Sequence, residues 1–118
     1  MTGISILKRS AAAAGANTDT VIMTPAPGQK IKLLAFWVIN EGAAQTVGMN
    51  FELRFGSNIV TGIGLDSATA PIGQTSKAAI LNEEFNGDGV NAINGRNLTA
   101  LAASSNVAYN VSLEVTTA

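Results

Sequence analysis

Residues 30–40, KIKLLAFWVIN, carry the strongest strand signal in the chain: β-branched and aromatic side chains are dense, and Gly and Pro are absent. Such a run belongs in the middle of a sheet. On a regular strand Ile31, Leu33, Ala35, Trp37 and Ile39 point to one side, and Leu34, Phe36 and Val38 to the other. Both faces are then apolar, whereas a two-layer sandwich wets the outer face of each sheet. Burial of a Leu, Phe or Val side chain is worth roughly 1.5–3 kcal/mol, so three left in water forgo on the order of 4–9 kcal/mol. A whole domain is held together by only about 5–15 kcal/mol. Something must therefore cover Leu34, Phe36 and Val38. The N-terminal segment or the Pro-rich loop at 24–28 can do so from within the chain, and another subunit can do so from outside.

The rest of the chain repeats the strand theme. Thr18 to Met23 reads as a strand that ends at Thr24-Pro25-Ala26-Pro27-Gly28, where two prolines remove donors. Met49, Phe51, Leu53 and Phe55 alternate with Asn50, Glu52 and Arg54, the pattern of a strand with one wet face. Gly56-Ser57-Asn58 then turns the chain into Ile59 to Ile63, giving a hairpin. Asp66 to Thr75 reads as a loop and Ala78 to Leu81 as a short strand. Asn97 to Ala103 and Ala108 to Thr116 read as a second hairpin, with Tyr109, Val111, Leu113 and Val115 on its buried side. Seven or eight short strands separated by turn signals, with no sustained helical period, predict an all-β, antiparallel, jelly-roll-like sandwich.

Length fits one domain: 118 residues of 12.0 kDa, divided into an N-terminal arm over 1–17 and a sandwich over 18–118. Ile4, Ile6 and Leu7 make the arm strand-like, and the small residues of 10–17 follow. The arm either adds a strand to its own sheet, adds one to a neighbour, or frays. Lys8 and Arg9 before Ala11 to Ala14 do not make a secretion signal, because the apolar run is too short. The longest apolar stretch, Leu33 to Ile39, is also far short of a membrane-spanning helix.

Composition closes several functional classes. The chain has no histidine and no cysteine, and 13% of its residues are charged. The commonest neutral-pH acid–base group, thiol nucleophiles and most transition-metal ligands are thus missing. The expectation is a protein that is not an enzyme and holds no cofactor. A net charge of −1 gives no electrostatic reason to bind nucleic acid or an anionic membrane.

Isolated motifs do not reverse this. Asn86-Gly87-Asp88-Gly89 alternates oxygen-bearing side chains with glycine, but a calcium loop needs ligands where Val90 and Asn97 stand, so a plain turn is expected. Glu83 and Glu84 are adjacent and face opposite ways on a strand, which rules out a glycosidase-type pair. Asn97-Leu98-Thr99 and Asn110-Val111-Ser112 match the glycosylation sequon but fall in expected strands. Trp37, inside so apolar a strand, is expected in the core.

The segment Gly28-Gln29-Lys30-Ile31-Lys32-Leu33-Leu34, followed by Asn97-Leu98-Thr99-Ala100-Leu101 and the closing Ala108 to Val115, resembles small β-sandwich virion proteins of tailed bacteriophages. The resemblance runs from Thr18 to Ala118 as a pattern of strands and turns. It implies a capsid decoration (cement) protein on the capsid surface, clustered as a homo-oligomer, most simply a trimer, on the major capsid protein. No catalytic residue is carried over, and the Lys8-Arg9 and Ala-rich arm departs from the pattern, which leaves the mode of docking open. The candidate interface residues are Ile4, Ile6 and Leu7 of the arm and Leu34, Phe36 and Val38 of the central strand.

Two rival readings stand beside it. A carbohydrate- or receptor-binding module of a phage fibre or tail would need aromatics in loops, and here they fall in or beside strands. An enzyme using carboxylates alone would need two of Asp19, Glu41, Glu52, Asp66, Glu83, Glu84, Asp88 and Glu114 to converge.

Overall fold

The computed structural model describes residues 2–45, 48–65, 75–78 and 83–117. Among these residues there is no helix and there are nine strands: β1 (Thr2–Arg9), β2 (Thr18–Met23), β3 (Gln29–Glu41), β4 (Met49–Phe55), β5 (Asn58–Leu65), β6 (Thr75–Lys77), β7 (Glu83–Asn86), β8 (Ile93–Asn97) and β9 (Asn106–Thr117). All pairings are antiparallel, in one sheet ordered β1-β9-β3-β6, with β7 also on β3, and a second ordered β2-β8-β4-β5. Short β6 and β7 pair with successive parts of β3, at 37–39 and 30–33, on the side away from β9. Counted as one interrupted strand, they leave eight strands in the orders 1-8-3-6 and 2-7-4-5, the two-sheet topology of a jelly roll.

β3 is central, as its composition predicts, with neighbours along both edges. It is not regular. Its pairing with β9 shifts between Leu33, opposite Leu113, and Ala35, opposite Ser112, so that Leu34 is the extra residue of a β-bulge. The bulge changes the phase of the strand. Ile31 and Leu33 face the second sheet before it, and Phe36 and Val38 face the second sheet after it; all four are fully buried. This corrects the expectation that Phe36 and Val38 need an outside cover. The opposite sheet covers them, and Trp37 and Ile39 pass to the outer face, where both are half-buried. Trp37 is accordingly not a core residue.

The core lies between the sheets. Tyr109, Val111 and Leu113 of β9 are buried there as predicted, with Phe51 and Leu53 of β4 and Ile93 of β8 from across the sandwich. The Tyr109 ring stacks on Phe36 at 6.2 Å between centroids and meets Phe51 edge-on at 6.0 Å.

β2 and β4 fall where the sequence places them, and β4 and β5 form the expected hairpin. Its two-residue turn needs Gly56 at φ 58°, a left-handed conformation suited to glycine. The expected second hairpin does not form. Ile93–Asn97 is the strand and joins the sheet of β2 and β4, while 98–105 crosses back to the start of β9. Asn97 ends β8 because its buried amide donates to the carbonyls of Gly15 (2.7 Å) and Thr99 (3.0 Å). Of the strand expected over Ala78 to Leu81, only Ala78 lies within the described residues; it is buried, and its N–H donates to the Phe36 carbonyl.

Candidate assembly surface

Thr2–Arg9 pairs over its whole length with β9 of the same chain. Ile4 and Ile6 face inward from this edge strand and pack against the core. Leu7 faces outward and is 42% exposed. Register places Leu7, Asn110, Trp37 and Lys77 side by side across four strands on the outer face, with Arg9, Ala108, Ile39 and Thr75 as the next row. Leu34, half-buried at the bulge, belongs to this face as well. Of the six candidate interface residues, Leu7 and Leu34 are thus brought to one outer face, Ile4 and Ile6 are partly buried at the sandwich edge, and Phe36 and Val38 are sealed inside. Trp37 and Ile39 are the outer-face residues that regular alternation hides.

Polar groups frame this apolar strip. The Lys77 ammonium lies 5.7 Å from the Trp37 ring centroid, within cation–π range. The Arg9 guanidinium bonds Glu41 at 2.9 Å, and the Asn106 amide donates to the same carboxylate at 3.1 Å. Asn110 is buried beneath its neighbours in the Leu7–Trp37 row.

One end of the sandwich is pinned by a buried polar cluster. Gln45, Asn40 and Ser105 are each no more than 1% exposed. The Gln45 amide donates to Asn40 Oδ1 (2.8 Å) and Ser105 Oγ (2.5 Å) and accepts from the Ala102 N–H (2.9 Å). Ser10 Oγ accepts from the Val107 N–H (3.0 Å). These bonds tie the segment after β1, the segment after β3 and the segment before β9 to one another. The Ala run at 11–14 is therefore not a helix but part of a fixed connector, in which Ala13 adopts φ 52° and donates to the Ser105 carbonyl.

The outer face of the second sheet is charged and self-paired. Arg96 makes two bonds to Asp19, at 2.8 and 3.1 Å, and Arg54 pairs with Glu52 at 2.8 Å. The Arg96 fork holds the Asp19 carboxyl below the usual carboxylate range. Beside them, Asn50, Glu52, Gly62, Gly64 and Leu98 line a shallow cleft of about 360 Å³. No aromatic ring furnishes a stacking platform there, since Phe51, which contributes to the lining, is 1% exposed and turned into the core.

Several of the remaining candidates are occupied. Asp88 accepts from the N–H groups of Val90 (2.8 Å) and Asn91 (2.7 Å) and from the Asn91 amide, which holds its carboxyl below the usual range and makes 86–91 a capped turn. Glu84 pairs with Lys30 at 3.3 Å. Asn97 and Asn110 of the two sequons are both buried. Asp66 lies outside the described residues. Among the described residues no group of three acidic side chains is placed to hold a metal ion.

No protein-family model matches this sequence, and no curated protein is similar to it in sequence. Solved structures are similar to it in fold. One is a chain in the acidic stable capsid structure of Helicobacter pylori bacteriophage KHP30, with TM-score 0.61, 9% identity, and 98% of this chain and 92% of that chain covered. Another is a chain in the capsid asymmetric unit of cyanophage Pam1, with TM-score 0.59, 11% identity, and 95% and 82% covered. The chain is an antiparallel jelly-roll sandwich of the kind found in those capsid chains.

Proposed function

We propose that this chain is a structural virion protein of a bacteriophage, acting as a decoration protein that braces the capsid shell from its surface. The observation that carries the reading is the likeness to the two phage capsid chains, which runs through 92% and 82% of their lengths and not through a shared fragment. The exposed Leu7 beside half-buried Leu34, Trp37 and Ile39 supports it, because an apolar strip on a sheet's outer face is suited to burial against a partner. In this reading the partner is the major shell protein, and the role is non-catalytic. Binding that favours the assembled shell over its free subunits stabilises the shell by mass action.

Quantitative mass spectrometry of purified particles tests the reading. Copies in simple proportion to the major shell protein are the expected result. A few copies per particle would move the protein to a vertex, neck or tail, and its absence from particles would overturn the virion role.

A further inference from the structure

β1 is fastened to the molecule along one line. Among the described residues it pairs with β9 alone. Ile4 and Ile6 pack against the core, each partly buried, whereas Lys8, next on the same side of the strand, is exposed. Among the described residues the side chains of β1 make one polar contact, between Arg9 and Glu41, and the Arg9 side chain is 61% exposed. Exposed ion pairs of this kind add little.

The segment that follows is held differently. Ser10 is buried; its N–H donates to the Val107 carbonyl and its hydroxyl accepts from the Val107 N–H. The N–H groups of Ala13 and Asn17 donate to the carbonyls of Ser105 and Asn97, the carbonyl of buried Ala14 accepts from Leu101, and that of Gly15 accepts from the Asn97 amide. None of these bonds involves β1. Backbone ordering is equally costly on either side of Arg9, but in β1 eight residues are ordered against two partly buried isoleucines. Both anchors stand toward the far end of the strand from Ser10, so once Ile6 lifts, Lys8 and Arg9 have no apolar contact to hold them.

We propose that β1 is a strap that opens and closes as one unit on a hinge between Arg9 and Ser10, ahead of any opening of the sandwich. Opening bares the edge of β9. It also carries Leu7 away from the row that it shares with Asn110, Trp37 and Lys77, so the outer-face strip is complete only while the strap is shut. The device does not depend on the virion role.

Backbone direction supplies the test. The bond from the Ser10 N–H to Val107 fixes the phase of the pairing: the N–H groups of Tyr109, Val111 and Leu113 face β1, as those of Lys8, Ile6 and Ile4 face β9. The N–H groups of Ala108 and Asn110 face β3 instead, in agreement with the Phe36 carbonyl, which turns away from β9 to accept from Ala78. Hydrogen exchange read by NMR on the full chain should therefore alternate along β9. Tyr109, Val111 and Leu113 should exchange at least about tenfold faster than Ala108 and Asn110. Ile4, Ile6 and Lys8 should share one protection factor with the fast set, and Ser10, Ala13 and Asn17 should stay with the slow one.

Ser5 and Ser112 form a non-hydrogen-bonded pair, whose Cα atoms lie about 4.5 Å apart, within disulfide range, and the chain has no native cysteine to interfere. Ser5→Cys combined with Ser112→Cys, once oxidised, ties the strap down. Protection at Tyr109, Val111 and Leu113 should then rise to that of Asn110 and fall back on reduction. Uniform protection along β9 in the native sequence would overturn the proposal. So would a gradient from a fast Ile4 to a slow Lys8, which marks fraying, exchange at Ala13 as fast as at Ile6, or a formed disulfide that leaves the alternation in place.

Discussion

The Tyr109 ring lies against the backbone of Gly95: a Cβ at residue 95 would sit 2.5 Å from the ring's Cγ and Cδ1. Tyr109 belongs to one sheet and Gly95 to the other, so their approach sets how closely the sheets meet at the centre. Gly95→Ala forces the ring away from Phe36 and Phe51, and overpacking of this kind costs about 1–3 kcal/mol. A lower midpoint in chemical denaturation with an unchanged slope is the expected outcome.

Among the described residues the buried Tyr109 hydroxyl has no hydrogen-bond partner, and burial pushes its pKa up. Tyr109→Phe keeps both ring contacts and deletes the unpaired group. Stability should stay level or rise by up to about 1–2 kcal/mol, the reverse of the usual result for a buried tyrosine. Thermal unfolding of the two proteins side by side decides it.

Ser105→Ala should act in the opposite sense. Its hydroxyl joins the Gln45 amide to the Ala43 carbonyl (2.9 Å) at the pinned end of the sandwich. Loss of the hydroxyl leaves buried polar groups short of partners, at about 1–3 kcal/mol. Hydrogen exchange should quicken at Ala13 and Ser10, whose backbones bond Ser105 and Val107, before it does in β4.

Acid should weaken the fold through two aspartates. Asp19 and Asp88 both have pKa values lowered from 3.8, by the Arg96 fork and by the capped N–H groups respectively. A depressed carboxyl contributes stability that is complete above its unfolded pKa and is lost as pH falls through the folded one. Stability should therefore be flat above about pH 5 and fall from about pH 4 downward. Asp19→Asn with Asp88→Asn should flatten that fall in a urea titration repeated across pH.

Leu7→Asp separates assembly from folding. Leu7 is 42% exposed on the outer face, so the substitution should change stability by no more than about 0.5 kcal/mol. If the outer face docks on the shell, the same change should strip the protein from particles in a binding assay.

Strand positions were legible wherever side chains alternate between clear turn residues, as in Thr18–Met23 and Met49–Phe55. Ile93–Asn97 escaped because its inward positions are Ile93, Gly95 and Asn97, of which only the first is apolar. Gly95 makes room for a ring from the other sheet, and Asn97 anchors loop carbonyls; neither role leaves a hydrophobic signal. The candidate surface was half legible for a related reason. Two apolar faces on 30–40 suggested an external cover, but they equally describe one strand whose phase slips, and only the pairing with β9 distinguishes the two. The clean alternation of Tyr109, Val111 and Leu113 in that partner strand was the available clue, because regular β9 fills the core on every second residue and β3 must bulge to match it.

The bulge at Leu34 also defines how this chain can change. Side chains on a strand exchange faces when the chain slips by one residue, but Leu34 is the residue that the pairing with β9 already skips, so deleting it would make Leu33–Leu113 and Ala35–Ser112 successive rungs and leave Phe36 and Val38 inward and Trp37 and Ile39 outward. The bulge is a slot that holds one residue more than β9 demands, and the faces on either side of it are set by the pairing and not by the number of residues between them. For this strand, loss of one residue at the slot should leave both surfaces intact, whereas loss of one residue between Ala35 and Ile39 would exchange the faces beyond it unless the bulge closed to absorb the change.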